Sequence, residues 1–146
     1  MDDPHDLKRF VRAQDAVYGQ VLAELTAGRK QSHWMWFVFP QLAGLGHSAT
    51  ARSFALGTLE EARAYLAHPV LGVRLRECTQ RVNELEGLSA GEIFGYPDEL
   101  KFRSSMTLFA RADAPGGPRS PFREALAKYF AGEEDPLTRK ILTSAS

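Results

Sequence analysis

One cysteine, no net charge and no long apolar run are the first shortages in this sequence. With Cys78 alone no intramolecular disulfide can form, and a cysteine-rich zinc site is excluded. Eighteen basic residues balance eighteen acidic ones, so the basic excess of an electrostatic nucleic-acid binder is missing. No nucleic-acid partner is expected. The longest apolar run, Trp34 to Phe39, is far too short to span a bilayer. The N-terminus, Met-Asp-Asp-Pro-His-Asp, is acidic and polar, unlike a signal peptide. These absences predict a cytoplasmic chain with no membrane partner.

Familiar catalytic signatures are missing too. His5, His33, His47 and His68 have no short ligand spacing, and no HExxH occurs. There is no Walker loop, no GxGxxG after a strand and no nucleophile elbow. No metal and no cofactor is expected. Strand-like alternation, internal repeats and low-complexity segments are also lacking.

What is present is helical pattern. Leu7, Phe10, Val11, Gln14, Val17, Tyr18, Val21, Leu22 and Leu25 recur at three- and four-residue steps. They predict one amphipathic helix of about five turns, opened by Asp3-Pro4 and ended by Gly28. Trp34 to Phe39, before Pro40, fits a short helix or a buried extended segment, the helix being favoured because its neighbours are helical, and Ser48 caps another helix over 49–55. Thr58 and Glu61 form a capping box for a helix to Ala67. Leu71, Leu75, Cys78, Val82 and Leu85 mark the next stripe, closed by Gly87. On it Cys78 reads as an inert packed thiol. Ser89 and Glu92 make a second box, and Asp98 reads as the cap of a helix over 99–111. After the loop signal at 114–118, helices follow over 121–130 and from Pro136. The fold class is therefore all-α: a single compact domain, 1–146, of about seven to nine helices, several short, around an aromatic-rich core. Residues 143–146 are expected to fray.

Two constellations could carry chemistry. The first is Arg29, Lys30 and His33 beside Trp34, Trp36, Phe37 and Phe39, with Gln41 after them and Gln14 on the first apolar stripe. Cations next to flat aromatics suit an anionic, ring-bearing ligand, with His33 able to act as a base. The second is Asp98, Lys101, Arg103, Ser104, Ser105 and Thr107. Asp98, Lys101 and Ser105 share one helix face near a positive helix end. The bland alternatives are a solvated helix end, a core glutamine bonded to a carbonyl, and serines satisfied by the backbone.

The runs Lys30…His33-Trp-Met-Trp-Phe-Val-Phe-Pro-Gln41 and Pro97-Asp-Glu-Leu-Lys-Phe-Arg-Ser-Ser-Met-Thr-Leu-Phe109 are distinctive. With Arg9 to Gln14, Gly44-Leu-Gly46, Ser48 and Ala67 to Gly72, they resemble the bacterial domain of unknown function 1810, from about Leu7 to Leu142. Some members of that family carry the label calpastatin. Calpain inhibitors of that name are disordered and repetitive, whereas this chain is compact and rich in core aromatics. The motif positions include the polar residues Gln14, Lys30, His33, Gln41, Asp98, Lys101, Ser104 and Ser105. A more distant resemblance runs to helical domains acting on ADP-ribosyl and related N-glycosidic substrates, through Lys101, 122–130, Asp135 and Thr138.

Two functions follow. One is binding, with or without hydrolysis, of a nucleotide or ADP-ribose-like anion: Lys30, Lys101 and Arg103 would neutralise charge, Trp34 or Trp36 would stack, Gln14, Gln41, Ser104 and Ser105 would bond, and His33 or Asp98 would move protons. That reading expects both constellations at one site. The other is a non-catalytic protein-interaction module, with the aromatics as core or docking patch.

Overall fold

Helix boundaries fall where short polar side chains and glycines place them. The computed structural model describes residues 3–113 and 120–144. Its helices are α1 (Lys8–Asp15), α2 (Tyr18–Ala27), α3 (Met35–Val38), α4 (Ala49–Ser53), α5 (Leu59–Ala67), α6 (Leu71–Glu84), α7 (Ala90–Phe94), α8 (Asp98–Ala112), α9 (Pro121–Phe130) and α10 (Pro136–Ser144). Ser48, Thr58 and Ser89 accept the amides of Ala51, Glu61 and Glu92. Only the box at Ser89 is reciprocal: Glu92 accepts the Ser89 amide, whereas Glu61 accepts that of Gly57. His68 Nδ1 accepts the amides of Val70 and Leu71 at the head of α6.

The first apolar stripe forms two helices rather than one. At Val17 the backbone leaves helical geometry, with φ −129° and ψ 0°, and no side chain caps the break. The break lets α1 pack on α3 while α2 packs on α6. A 3.6-residue stripe continues across such a bend, so periodicity does not reveal it. This split brings the expected helices to ten among the described residues. The α6 helix stops at Glu84, ahead of Gly87. Thr143 and Ser144, expected to fray, are helical. Residues 145–146 and the loop expected at 114–118 lie outside the described residues.

No strand is present among the described residues. One isolated parallel bridge, Leu42 with Leu56, ties the segment after Pro40 to the entry of α5. The middle of the molecule is α8, which packs against α3, α5, α7, α9 and α10. Every residue from Ser104 to Ala110 is buried. A helix enclosed all round must hide its own hydroxyls, and Ser104 and Thr107 do so on the carbonyls of Leu100 and Arg103. Burying its apolar surface stabilises the fold by about 25 cal/mol for each Å² removed from water.

An aromatic cluster sets α3 against α7 and α8. Phe94 stacks on Phe102 at 4.5 Å, and Phe39 meets Phe102 edge-on at 5.0 Å. Trp34 lies 6.2 Å from Phe39. Such pairs contribute roughly 0.5–1.5 kcal/mol beyond burial. Gly28 ends α2 at φ +75°. A Cβ there would stand 2.7 Å from Leu88 Cδ1, so glycine suits both the backbone and the close approach.

Candidate ligand site at the start of helix α8

The chain leaving Gly28 is held against the end of α7: the Lys30 amide donates to the Ile93 carbonyl at 2.7 Å. This brings the two polar constellations together. Lys30 Nζ lies 2.7 Å from Asp98 Oδ2, and Lys101 Nζ lies 3.2 Å from Asp98 Oδ1. Each ammonium also sits over an indole. Lys30 is 5.2 Å from the Trp34 ring and Lys101 4.9 Å from the Trp36 ring. The two lysines differ in access. The Lys30 side chain is 6% exposed and that of Lys101 26%. Lys30 is therefore the inner cation and Lys101 the outer one, with half-buried Trp36 beside it.

Desolvation raises the Asp98 carboxyl, but hydrogen bonds and charge from Lys30 and Lys101 outweigh it and hold the group below the usual carboxylate range. A carboxylate stabilised in this way is a weak proton acceptor. Asp98, expected to act as an acid–base group and as the cap of its helix, pairs with two ammonium groups and does not cap the helix. The N-cap is Pro97, and no side chain caps α8. The amides of residues two to four of α8 are already satisfied: Glu99 donates to Gly95, and Leu100 and Lys101 donate to Pro97. The helix end is thus not an open anion cradle.

Other expected site residues are placed elsewhere. Trp34 is 1% exposed, and its Nε1–H donates to Glu24 Oε1 at 3.0 Å, so it is core rather than a stacking platform. Gln14 is 2% exposed. Its amide nitrogen donates to the Phe37 carbonyl at 2.6 Å and reaches the Tyr65 hydroxyl at 3.0 Å, while Arg74 donates to its oxygen. Gln14 is a core amide. Ser104 is spent on a carbonyl, and Ser105 is fully buried with no partner for its hydroxyl among the described residues. His33 is exposed and has no hydrogen bond or ion pair among the described residues, so nothing orients it as a base. Gln41 is half-buried, and its carbonyl accepts the Leu56 amide.

Arg103 points away. It stands about 160° round the helix from Lys101. Its guanidinium donates to the carbonyls of Glu133 and Glu134, both at 3.1 Å, and lines a cleft of about 440 Å³ with Arg139. Asp135 and Thr138 lie at this end, where Asp135 accepts both the amide and the hydroxyl of Thr138 at the head of α10. Burial pushes the Cys78 thiol up to about 12, in keeping with an unreactive packed sulfur.

Sequence reasoning missed Glu24. It is 6% exposed and collects five hydrogen bonds from the loop, from Trp34 and from Gln20. Burial works against its charge, but these bonds hold its carboxyl at about 2. The available signal was a carboxylate on the inward stripe, three residues after Val21.

Among the described residues no three of His, Cys, Asp and Glu gather as a metal set, and no helix is long and apolar enough to cross a membrane. No curated protein matches the chain. A crystal structure of the conserved hypothetical protein Rv1873 from Mycobacterium tuberculosis is similar at 58% identity, with a TM-score of 0.92. The match covers 97% of this chain and 99% of that one. The model of the family described as "Protein of unknown function (DUF1810)" matches residues 4–142, and the chain belongs to that family.

Proposed function

We propose that the protein binds an anionic, ring-containing small molecule, such as a nucleotide or an ADP-ribose-like compound, at the edge formed by Lys101 and Trp36. The observation that carries this reading is the charge count at Asp98. Two ammonium groups share one carboxylate, so one positive charge is left over. The outer ammonium lies over the half-buried ring of Trp36. An anion would take the surplus charge, and its ring would pack on the indole. Lys30 and Asp98 would hold Lys101 in place. Binding is favoured over hydrolysis, because Asp98 is held as a weakly basic carboxylate and His33 has no orienting partner among the described residues.

A thermal-shift screen of nucleotides, ADP-ribose and sugar phosphates tests this on wild type and Lys101→Ala. A ligand at a hundredfold its dissociation constant stabilises by about 2.7 kcal/mol, a shift of several degrees. The shift should vanish in Lys101→Ala. No shift with any compound sinks the proposal.

A second reading has its own observation. Tyr96 is 81% exposed and Leu100 46%, both beside Asp98 and Lys101. Exposed apolar side chains at one helix end suit a protein partner, here a second copy of the chain. Light scattering after size exclusion decides: a monomer at all concentrations removes that reading.

A further inference from the structure

Lys30, which with Asp98 would hold Lys101 in place, and Trp36, which would face the ligand, are joined by five residues of which three are tied to one side chain. Glu24 Oε1 accepts the Gln31 amide at 2.7 Å, the Ser32 amide at 3.0 Å and the Trp34 indole N–H at 3.0 Å. Glu24 Oε2 accepts the Ser32 hydroxyl and, at 2.8 Å, the Gln20 side-chain amide. The Glu24 carbonyl also accepts the Arg29 amide at 3.0 Å. The loop is thus bonded on both sides of Lys30 and up to Trp34, the N-cap of α3.

We infer that Glu24 is the positioning residue of this site, setting Lys30 against Asp98 and fixing the start of the helix that carries Trp36. The inference rests on the binding reading above. Its chemistry is specific to a carboxylate. All five partners are donors, and only an ionised carboxyl offers acceptors at both oxygens with no donor of its own. A glutamine presents an NH₂ to donors that need an acceptor. The bonds are charge-assisted, which makes them stronger than neutral ones. A loop held in its binding conformation spares the ligand the cost of selecting it.

The test compares wild type, Glu24→Gln and a control, Phe122→Leu, which loosens the core in α9 instead. All are studied well below their melting temperatures. In Glu24→Gln the amides of Gln31 and Ser32 should exchange with solvent about tenfold faster, the Trp34 indole N–H resonance should move, and ADP-ribose should bind about tenfold more weakly. The Asp98 carboxyl, followed by carbon NMR, should titrate closer to an ordinary carboxylate as Lys30 withdraws. Phe122→Leu should leave all four readouts at wild-type values. Loop exchange and Asp98 titration unchanged in Glu24→Gln would overturn the inference, as would a freed loop with unaltered ADP-ribose affinity. If neither ADP-ribose nor any nucleotide or sugar phosphate of the screen binds wild type, the binding reading falls, and the exchange and titration data still decide whether Glu24 sets Lys30.

Discussion

The two sides of α8 carry similar charges and put them to different uses. On one side, Lys30 and Lys101 share Asp98, and a surplus ammonium faces an indole. On the other, Arg111 meets Glu134 through two bonds of 2.9 and 2.8 Å, and Arg103 bonds two carbonyls and pairs with the Glu133 carboxylate at 3.6 Å. The hydrogen bond from Arg111 holds the Glu134 carboxyl below its usual range. One side closes its charge account within the protein and the other does not. Counting cations therefore locates no site; what matters is which donors are left after the protein's own acceptors are filled.

The largest effect should come from Asp98→Asn. It leaves the Lys30 ammonium, 6% exposed, without its carboxylate, and should cost about 3 kcal/mol in chemical denaturation. A loss no greater than that of Arg111→Ala would erase the distinction between the two sides.

Acid should act next. Glu24 is held at about 2 against an ordinary 4.5, and Asp98 is also lowered. A depressed folded value stabilises above the unfolded one and is lost as pH falls through the folded value. Stability should therefore drop between about pH 4.5 and 2, and more gently in Glu24→Gln; parallel curves would show that Glu24 is not so held. Arg111→Ala breaks a partly exposed pair and should cost about 1 kcal/mol while keeping any ligand-induced thermal shift. The smallest stability change belongs to Lys101→Ala, within about 0.5 kcal/mol, because Asp98 keeps Lys30. Unlike Arg111→Ala, that variant should lose the ligand shift. A large stability loss would recast Lys101 as structural.

Much of the helical layout is legible because caps and stripes are local. Ser48, Thr58, Ser89, Gly28 and Pro121 act within one turn of their own positions. The bend at Val17 escapes notice because both halves obey the same period. The site is less legible, because a polar residue in an apolar segment looks alike whether it meets a ligand or the protein. Gln14, Ser104 and Trp34 meet the protein. Arg103 was misplaced by grouping along the sequence rather than round the helix.

The sequence by itself determined an all-helical chain, the caps at Ser48, Thr58 and Ser89, its aromatic core and its family, since each of these is written in short-range pattern. Only the tertiary structure decided that Lys30 meets Asp98, that Trp36 rather than Trp34 stays accessible, and that Glu24 holds the loop between them. The reason is physical. Hydrogen-bond satisfaction of a buried group depends on partners from several elements, and no local pattern records which donors remain once those elements have packed.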